Sequence, residues 1–180
     1  MEAFFNTPKN QYIFVANRCG SNFMASKQAK NKGWVQVKHS MKFIKLRHYT
    51  TTVKVIRNPF ERWCSWFNDF SENNYLKLRT IEDANNWIRK FKKRQPKDLH
   101  TQKQIILYNQ KNLIPKTEEK YIRTENLKKF VSVDDSIHYS SIHPKLLLIP
   151  NEVFSYMFIA IKHIYQDDYN WINTLKFEEI

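Results

Sequence analysis

The residues of this sequence that most directly indicate chemistry lie in a short polar loop, between an apolar run at 12–16 and a helix-forming segment. The apolar run predicts a buried strand, and Arg18, Gly20, Ser21 and Asn22 follow it. Glycine allows close backbone approach to an anion, and the arginine adds a fixed positive charge. Where such a loop opens a helix, free N–H groups and the helix dipole favour a bound phosphate.

This loop is not a Walker A loop, because it has one glycine and lacks the pattern G-x-x-x-x-G-K-[ST]. The sequence therefore argues against an ATPase or kinase of that kind. An ordinary strand–helix turn, with Gly20 present for backbone geometry alone, is the alternative interpretation.

A second constellation begins where the β-branched run 51–56 ends. Arg57 follows that predicted strand, Pro59 opens a helix, and Ser65 lies about two helical turns further on. The carboxyl ends of parallel strands are where open α/β sheets bind ligands, so Arg57 and Ser65 are candidates to face one anion. The alternatives are a salt bridge from Arg57 to Glu61 and a serine that is merely a small residue on a helix face.

The elements that must position these residues alternate between strands and helices. That alternation predicts an α/β protein with a parallel sheet covered by helices. With 180 residues and 42% hydrophobic content, the chain has enough apolar material for one domain over residues 1–180. Strands are predicted at 12–16, 34–38, 51–56 and 120–123, and helices at 23–30, 41–48, 59–67, 81–94, 101–112, 125–130, 151–165 and 168–175.

The charge of the chain favours an anionic partner. The formal net charge is +13, and residues 1–62 hold 12 Lys/Arg against 2 Asp/Glu. Residues 89–97 pack six basic side chains into nine positions. We interpret this tract as a solvated helix end, as a collar for an anionic glycan acceptor, or as a nucleic-acid contact.

The two cysteines, Cys19 and Cys64, make no disulfide framework and are expected to be reduced thiols. We see no signal peptide, no apolar segment long enough to span a bilayer and no metal-site spacing. The sequence therefore predicts a soluble, cytoplasmic protein without a bound metal.

Taken together, the segments V-I-R-N-P-F-E-R-W-C-S (55–65) and R-C-G-S-N-F (18–23) resemble two elements of sulfotransferases that use 3′-phosphoadenosine 5′-phosphosulfate (PAPS). The first is similar to their 3′-phosphate element and the second to their 5′-phosphosulfate loop. Segments 121–127 and 164–169 are similar to a strand-then-E-N-L motif and to an I-Y-x-x-D-Y motif of the carbohydrate-modifying branch. The resemblance covers about residues 11–175.

This resemblance implies a P-loop-like three-layer fold, with a short central parallel β-sheet flanked by helices, in one sulfotransferase-like domain. It implies PAPS as the donor, adenosine 3′,5′-bisphosphate (PAP) as the product, no metal, and a hydroxyl or amine acceptor, with a carbohydrate first. The nucleotide-binding residues that it implies are Arg18, Cys19, Gly20, Ser21, Asn22, Phe23, Arg57, Ser65 and Arg123, with Phe23 against the adenine.

The sequence departs from the family at Asn17-Arg18, where Pro-Lys is usual. Arg18 would then neutralise the leaving phosphate in place of the lysine, although its planar fork differs from a point charge. The chain is also short for the family and shows no Golgi-type membrane anchor, which favours a soluble enzyme of microbial or viral origin.

Transfer to a hydroxyl also needs a general base, and histidine suits neutral pH. His39 ends the predicted strand 34–38 and is our first choice, because that position implies the sheet edge that carries Arg18 and Arg57. Some 2-O-sulfotransferases resemble this arrangement. His48 and His100 are the next candidates. The competing hypotheses are a basic nucleic-acid-binding protein without enzymatic activity, and a degenerate sulfotransferase fold that binds nucleotide only.

Overall fold

The computed structural model describes residues 1–37, 51–70, 73–109, 118–133 and 145–180. These residues cluster into two compact units. The sheet unit comprises residues 1–57, 104–138 and 174–180, and the helical unit comprises residues 58–103 and 139–173. Two compact units can belong to one domain or to two, so the single domain over residues 1–180 stays a prediction.

The sheet unit contains a five-stranded mixed sheet in the order β3-β1-β2-β4-β5. Strands β2, β4 and β5 are parallel, whereas β1 pairs antiparallel with both β2 and β3. The α/β class is confirmed, and the expected parallel sheet is correct for β2, β4 and β5, but the antiparallel β1 makes the whole sheet mixed. The strands are β1 (Glu2–Asn6), β2 (Gln11–Val15), β3 (Trp34–Gln36), β4 (Thr51–Ile56) and β5 (Glu119–Arg123).

The sheet is mixed because β1, which the sequence analysis missed, forms a hairpin with β2. A turn at residues 7–10 joins them, with the Asn10 N–H donating to the Thr7 oxygen at 3.1 Å and Asn10 at a φ of 46°. Asparagine tolerates this left-handed conformation better than most residues. Phe5 lies opposite Tyr12, and their ring centroids are 4.5 Å apart. This aromatic cross-strand pair stabilises the hairpin.

The helices within the described residues have the following bounds: α1 (Ser21–Met24), α2 (Lys27–Asn31), α3 (Pro59–Phe70), α4 (Ile81–Arg94), α5 (Gln104–Tyr108), α6 (Leu127–Val131), α7 (Asn151–Ile164) and α8 (Gln166–Ile172). The predicted helix at 41–48 lies outside the described residues. None of the helices that the structure describes is both long enough and apolar enough to cross a membrane.

One predicted helix, at 23–30, is in fact two short ones. Helix α1 ends at Met24, and the Ser26 hydroxyl accepts a hydrogen bond from the Ala29 N–H at 3.4 Å, which caps α2. A serine side chain that caps a new helix start competes with continuation of the preceding helix. The loop at 17–20 therefore leads into a helix of a single turn.

The helical unit is held together by an aromatic core. Helix α3 starts at Pro59 as predicted, and the Asn58 side-chain oxygen accepts hydrogen bonds from the first free N–H groups, at 3.0 and 3.3 Å. Helix α4 spans the predicted 81–94, and the Trp87 and Phe91 rings stack at 5.2 Å on one face of it. The members of the core that are most fully buried include Trp63, Phe67, Leu78, Ala84, Met157, Ile161 and Tyr165.

Candidate anion-binding site

The loop after β2 is a tight turn with an unusual backbone conformation. The Cys19 N–H donates to the Ala16 oxygen at 2.9 Å, and Arg18 and Gly20 have φ values of 70° and 101°. An arginine in the left-handed region costs about 1–2 kcal/mol relative to the right-handed one. The surrounding contacts must therefore offset that cost.

Gly20 is required by both its conformation and its surroundings. A β-carbon built at this position would lie 2.6 Å from Cδ2 of Leu127, a buried residue of α6. Real β-carbons do not approach a neighbour that closely, so with a larger residue here the Leu127 side chain, α6 or the loop would have to shift. The sequence therefore places one of its two glycines where the loop packs against Leu127.

Arg57 lies directly after β4 and reaches the loop. Strands β2 and β4 are adjacent and parallel, with Val15 in register with Val55, so both end at the same edge of the sheet. Nη1 of Arg57 donates a hydrogen bond to the main-chain oxygen of Arg18 at 2.9 Å. Two segments that the sequence analysis singled out separately thus meet at one place.

Gln104, which the sequence analysis missed, binds both segments. Its side chain is fully buried, and its Oε1 accepts the Arg57 N–H at 3.1 Å and the Cys19 S–H at 3.3 Å. Its Nε2 donates to the Arg57 oxygen at 2.7 Å. The only sequence signal for this role is a polar residue on the inner side of the apolar helix Q-I-I-L-Y.

Tyr108, one helical turn further along α5, joins the two parallel strands. Its hydroxyl accepts the Ala16 N–H at 2.8 Å and donates to the Val55 oxygen at 2.6 Å. The ring is buried, so these main-chain groups have their bonds satisfied away from water. Helix α5 therefore holds the ends of β2 and β4 at a fixed separation.

The remaining residues predicted in the loop differ in accessibility. Asn22 is exposed, whereas Ser21 is 9% exposed and Cys19 is fully buried. Phe23 is only 3% exposed, so its ring offers little surface to an adenine base in this conformation. Arg123 lies at the end of β5, with its guanidinium carbon 4.2 Å from the centroid of the Phe177 ring.

Ser65 and one of the predicted bases, His100, are among the described residues. His39 and His48 are outside the described residues. His100 and Ser65 belong to the helical unit, where both are half-buried and the His100 N–H donates to Oδ1 of Asp98 at 2.9 Å. Strand β3 runs in the same direction as β2, because both are antiparallel to β1. Its carboxyl end therefore faces the edge that the prediction for His39 assumed.

The positive charge of the chain is concentrated in the unit that carries the loop. The sheet unit holds 18 Lys/Arg against 8 Asp/Glu, a balance of +10, and the helical unit holds 12 against 9, a balance of +3. No group of three His, Cys, Asp or Glu side chains in the described ranges is arranged to bind a metal ion. The sheet unit thus holds most of the net positive charge of the chain.

The basic tract 89–97 forms the end of α4 and the short 3-10 helix after it. Phe91 and Gln95 are buried, and the six cations are exposed. Arg94 pairs with Asp98 at 3.3 Å and lies over the Trp66 ring at 5.9 Å. Cations at a helix C-terminus interact favourably with the helix dipole, which agrees with the interpretation of a solvated helix end.

No protein-family model matches this chain, and neither does any curated protein or any solved structure.

Proposed function

We propose that this protein is a PAPS-dependent sulfotransferase, which moves a sulfuryl group to a hydroxyl or amine acceptor. A carbohydrate is the acceptor class that we favour. The observation that carries the proposal is the hydrogen bond from Arg57 Nη1 to the Arg18 oxygen at 2.9 Å. It joins the two segments that resemble the family's phosphate-binding elements. The mixed sheet with helices beside it supports the α/β part of the P-loop-like fold that the proposal implies.

The charges that would hold the nucleotide come from side chains in this proposal. Helix α1 has four residues, and so short a helix contributes little dipole to anion binding. Arg18 and Arg57 supply fixed charge and planar donors suited to phosphate oxygens. The positive φ of Gly20 lets the loop backbone make its turn between them.

The reaction is an in-line transfer. The acceptor oxygen attacks sulfur and forms the new S–O bond while the bond between sulfur and the 5′-phosphate oxygen breaks, and PAP leaves with the electron pair. Arg18 neutralises the charge that develops on the departing phosphate, and a base takes the acceptor proton. His39 stays the first choice for that base from the sequence. Ser65 and Arg123 stay predicted nucleotide ligands.

The test is stabilisation of the protein by PAP. A ligand at about 100 times its dissociation constant adds roughly 2.7 kcal/mol to the free energy of unfolding. We expect a rise in Tm with PAP, none of comparable size with AMP or ATP, and loss of the rise in Arg57→Ala. Arg79→Ala is the matched control, because Arg79 is an exposed arginine of the helical unit. Equal shifts with AMP and ATP, or no shift at all, would contradict the proposal.

Transfer itself needs a separate measurement. Labelled sulfate should pass from PAPS to one member of a panel of glycans, small alcohols and tyrosine peptides. A protein that is stabilised by PAP and labels no acceptor would instead be the degenerate, nucleotide-binding form.

A second candidate is nucleic-acid binding, which the exposed cations of the basic tract 89–97 favour. Binding of an oligonucleotide would then weaken steeply with salt, and each lost phosphate contact would reduce the slope by about 0.9. Replacing Lys90, Lys93 and Lys97 together by alanine should abolish such binding, whereas Arg57→Ala should leave it intact. The opposite ranking of these two variants would exclude this candidate.

A further inference from the structure

Helix α5 presents two buried polar side chains to the candidate site. Gln104 and Tyr108 are four residues apart and therefore lie on the same face of the helix. Both are at most 1% exposed. Buried polar groups need hydrogen-bond partners, and the partners of these two show what the helix does.

The Gln104 amide binds the backbone of Arg57 on both sides. It accepts the Arg57 N–H at 3.1 Å and donates to the Arg57 oxygen at 2.7 Å. This paired exchange is the pattern that a neighbouring strand would supply, so the amide continues the sheet by one residue beyond β4. The requirement for a donor opposite one group and an acceptor opposite the other fixes which way the amide faces.

The two hydrogen bonds from Gln104 affect where the Arg57 side chain starts and which way it points. The main-chain N–H and C=O groups of a residue just past a strand end normally have no partner in the sheet. The Cα of such a residue, from which its side chain starts, can therefore move. Because both main-chain groups of Arg57 are bound, its Cα is fixed, and the guanidinium reaches the Arg18 oxygen from a defined origin. Gln104 also accepts the Cys19 S–H, so the same amide contacts the loop.

Tyr108 links the ends of strands β2 and β4 beside the site. Its hydroxyl connects Ala16, the last residue before the loop, with Val55 near the end of β4. Without that hydroxyl, the Ala16 N–H and the Val55 oxygen would each lose a buried partner. Leaving such groups unpaired costs more than the bond itself contributes.

We infer that Gln104 and Tyr108 are positioning residues, which hold Arg57 and the loop at 17–20 in the geometry that binds the phosphates of the nucleotide. The inference rests on the proposed function for the identity of the anion. Positioning errors of about 1 Å can cost catalysis about 100-fold, so a rigid support of this kind has functional value.

The experiment compares two isosteric substitutions of buried glutamines. Gln104→Met removes the amide bonds beside the site. Gln95→Met removes an equally buried amide in the helical unit, where Nε2 donates to the Thr101 oxygen at 2.9 Å. PAP affinity is measured by calorimetry at a temperature where circular dichroism shows each protein to be folded. Tyr108→Phe, which deletes only a hydroxyl, is the second variant at the site.

We expect Gln104→Met to weaken PAP binding by about tenfold and Tyr108→Phe by a smaller factor, because each loses hydrogen bonds that fix the site. Gln95→Met should lower the Tm of the protein but leave its affinity for PAP unchanged. Equal affinity losses in Gln104→Met and Gln95→Met would overturn the inference, as would unchanged affinity in a folded Gln104→Met.

A second measurement does not depend on the nucleotide. Amide hydrogen exchange should be faster at Arg57 in Gln104→Met and at Ala16 in Tyr108→Phe, with the amides of Val53 and Ile122 unchanged. If wild-type protein fails to bind PAP, the proposed function fails, and exchange still decides the positioning role. Acceleration spread evenly through the sheet unit would show a general structural role and overturn the inference.

Discussion

The guanidinium of Arg57 donates a hydrogen bond from Nη1 to the main-chain oxygen of Arg18 across 2.9 Å. Arg18 has a φ of 70°, a conformation that arginine adopts at a cost. The bond from Arg57 helps to offset that cost, because it gives the Arg18 carbonyl a charged donor in this conformation. The two cationic residues of the site are thus coupled through one backbone group, and a change in either should alter the other.

Replacing Gly20 by alanine should destabilise the protein more than replacing Gly33 does. Both glycines have positive φ, at 101° and 83°, so each substitution bears the cost of about 1–2 kcal/mol for a left-handed alanine. At Gly20 the added β-carbon would also lie 2.6 Å from Leu127 Cδ2, whereas at Gly33 its nearest neighbour is Asn6 Nδ2 at 3.3 Å. Urea denaturation of the two variants measures the difference.

A double variant tests the steric contact between residue 20 and Leu127. Leu127→Ala removes the atom in the way, so the double variant Gly20→Ala/Leu127→Ala should be more stable than the sum of the two single losses implies. Additive losses would mean that the contact with α6 does not limit residue 20.

The buried Lys54 gives a prediction about a single ion pair. Its Nζ is 3.0 Å from Oε1 of Glu119 and 5.5 Å from the centroid of the Tyr121 ring, and the Lys54 side chain is only 3% exposed. Removing the acid leaves a buried charge, whereas removing the cation leaves a partly exposed acid. We therefore expect Glu119→Ala to cost about 2–3 kcal/mol, below the roughly 3–5 kcal/mol of a fully buried pair, and Lys54→Met to cost less than about 1 kcal/mol.

Chemical denaturation of the two single variants and the double variant checks this order. Glu119→Gln keeps an acceptor oxygen for Lys54. Its loss of stability is therefore expected to lie between those of Glu119→Ala and Lys54→Met. A Lys54→Met protein that loses as much stability as Glu119→Ala would show that the ion pair itself, and not the stranded charge, dominates.

Much of the local structure followed from sequence patterns with strong local causes. Helix α4 occupies its predicted range because Thr80 caps it and apolar residues recur on one face. Strand β1 was missed because its short sequence E-A-F-F-N gains its strand character from pairing on both sides, which depends on the rest of the sheet.

The residues of the candidate site also differ in how clearly the sequence indicates them. Arg18, Gly20 and Arg57 were candidates from the sequence because their types and their places after strands are visible in it. Gln104 was not, because its partner Arg57 is 47 residues away and nothing near Gln104 in the sequence indicates that contact. The sequence thus indicated the charged candidates, Arg18 and Arg57, but not the residue whose side chain binds the Arg57 backbone.

The capping box of α4 predicts a loss of stability in acid. Hydrogen bonds from the Thr80 side chain and the Thr80 and Arg79 N–H groups hold the pKa of Asp83 below its ordinary value of 3.8. A carboxyl whose pKa is lowered by folding stabilises the native state above the unfolded pKa and loses that effect as the pH falls below it. Asp83→Asn should therefore flatten the decline in stability below about pH 4.

Denaturation midpoints measured from neutral pH down to about pH 3 test this, because the contribution begins to be lost as the pH falls below the unfolded pKa. Glu82→Gln is the matched control, since Glu82 is the neighbouring exposed acid of the same first turn. Thr80→Ala should cost about 1 kcal/mol at neutral pH, the usual value of a lost N-cap. An acid decline that is unchanged in Asp83→Asn would rule out this origin.

Alkaline pH should destabilise the helical unit through Tyr165. Burial raises the pKa of this tyrosine well above its ordinary value of 10.0, and its hydroxyl donates to the Thr101 oxygen at 2.5 Å. A group whose pKa is raised by folding contributes stability that is present below the unfolded pKa and is lost as the pH rises above it. The stability that the neutral phenol supplies should thus decline from about pH 10 upward.

Tyr165→Phe separates the two effects of this hydroxyl. At neutral pH the variant should lose about 1 kcal/mol, because the Thr101 oxygen loses a buried donor. Above about pH 10 its stability should fall less steeply than that of the wild type, because no buried phenol remains to ionise there. Tyr156→Phe, at a half-buried tyrosine of α7, is the matched control for loss of a hydroxyl. Parallel alkaline curves for wild type and Tyr165→Phe would place the decline in other groups.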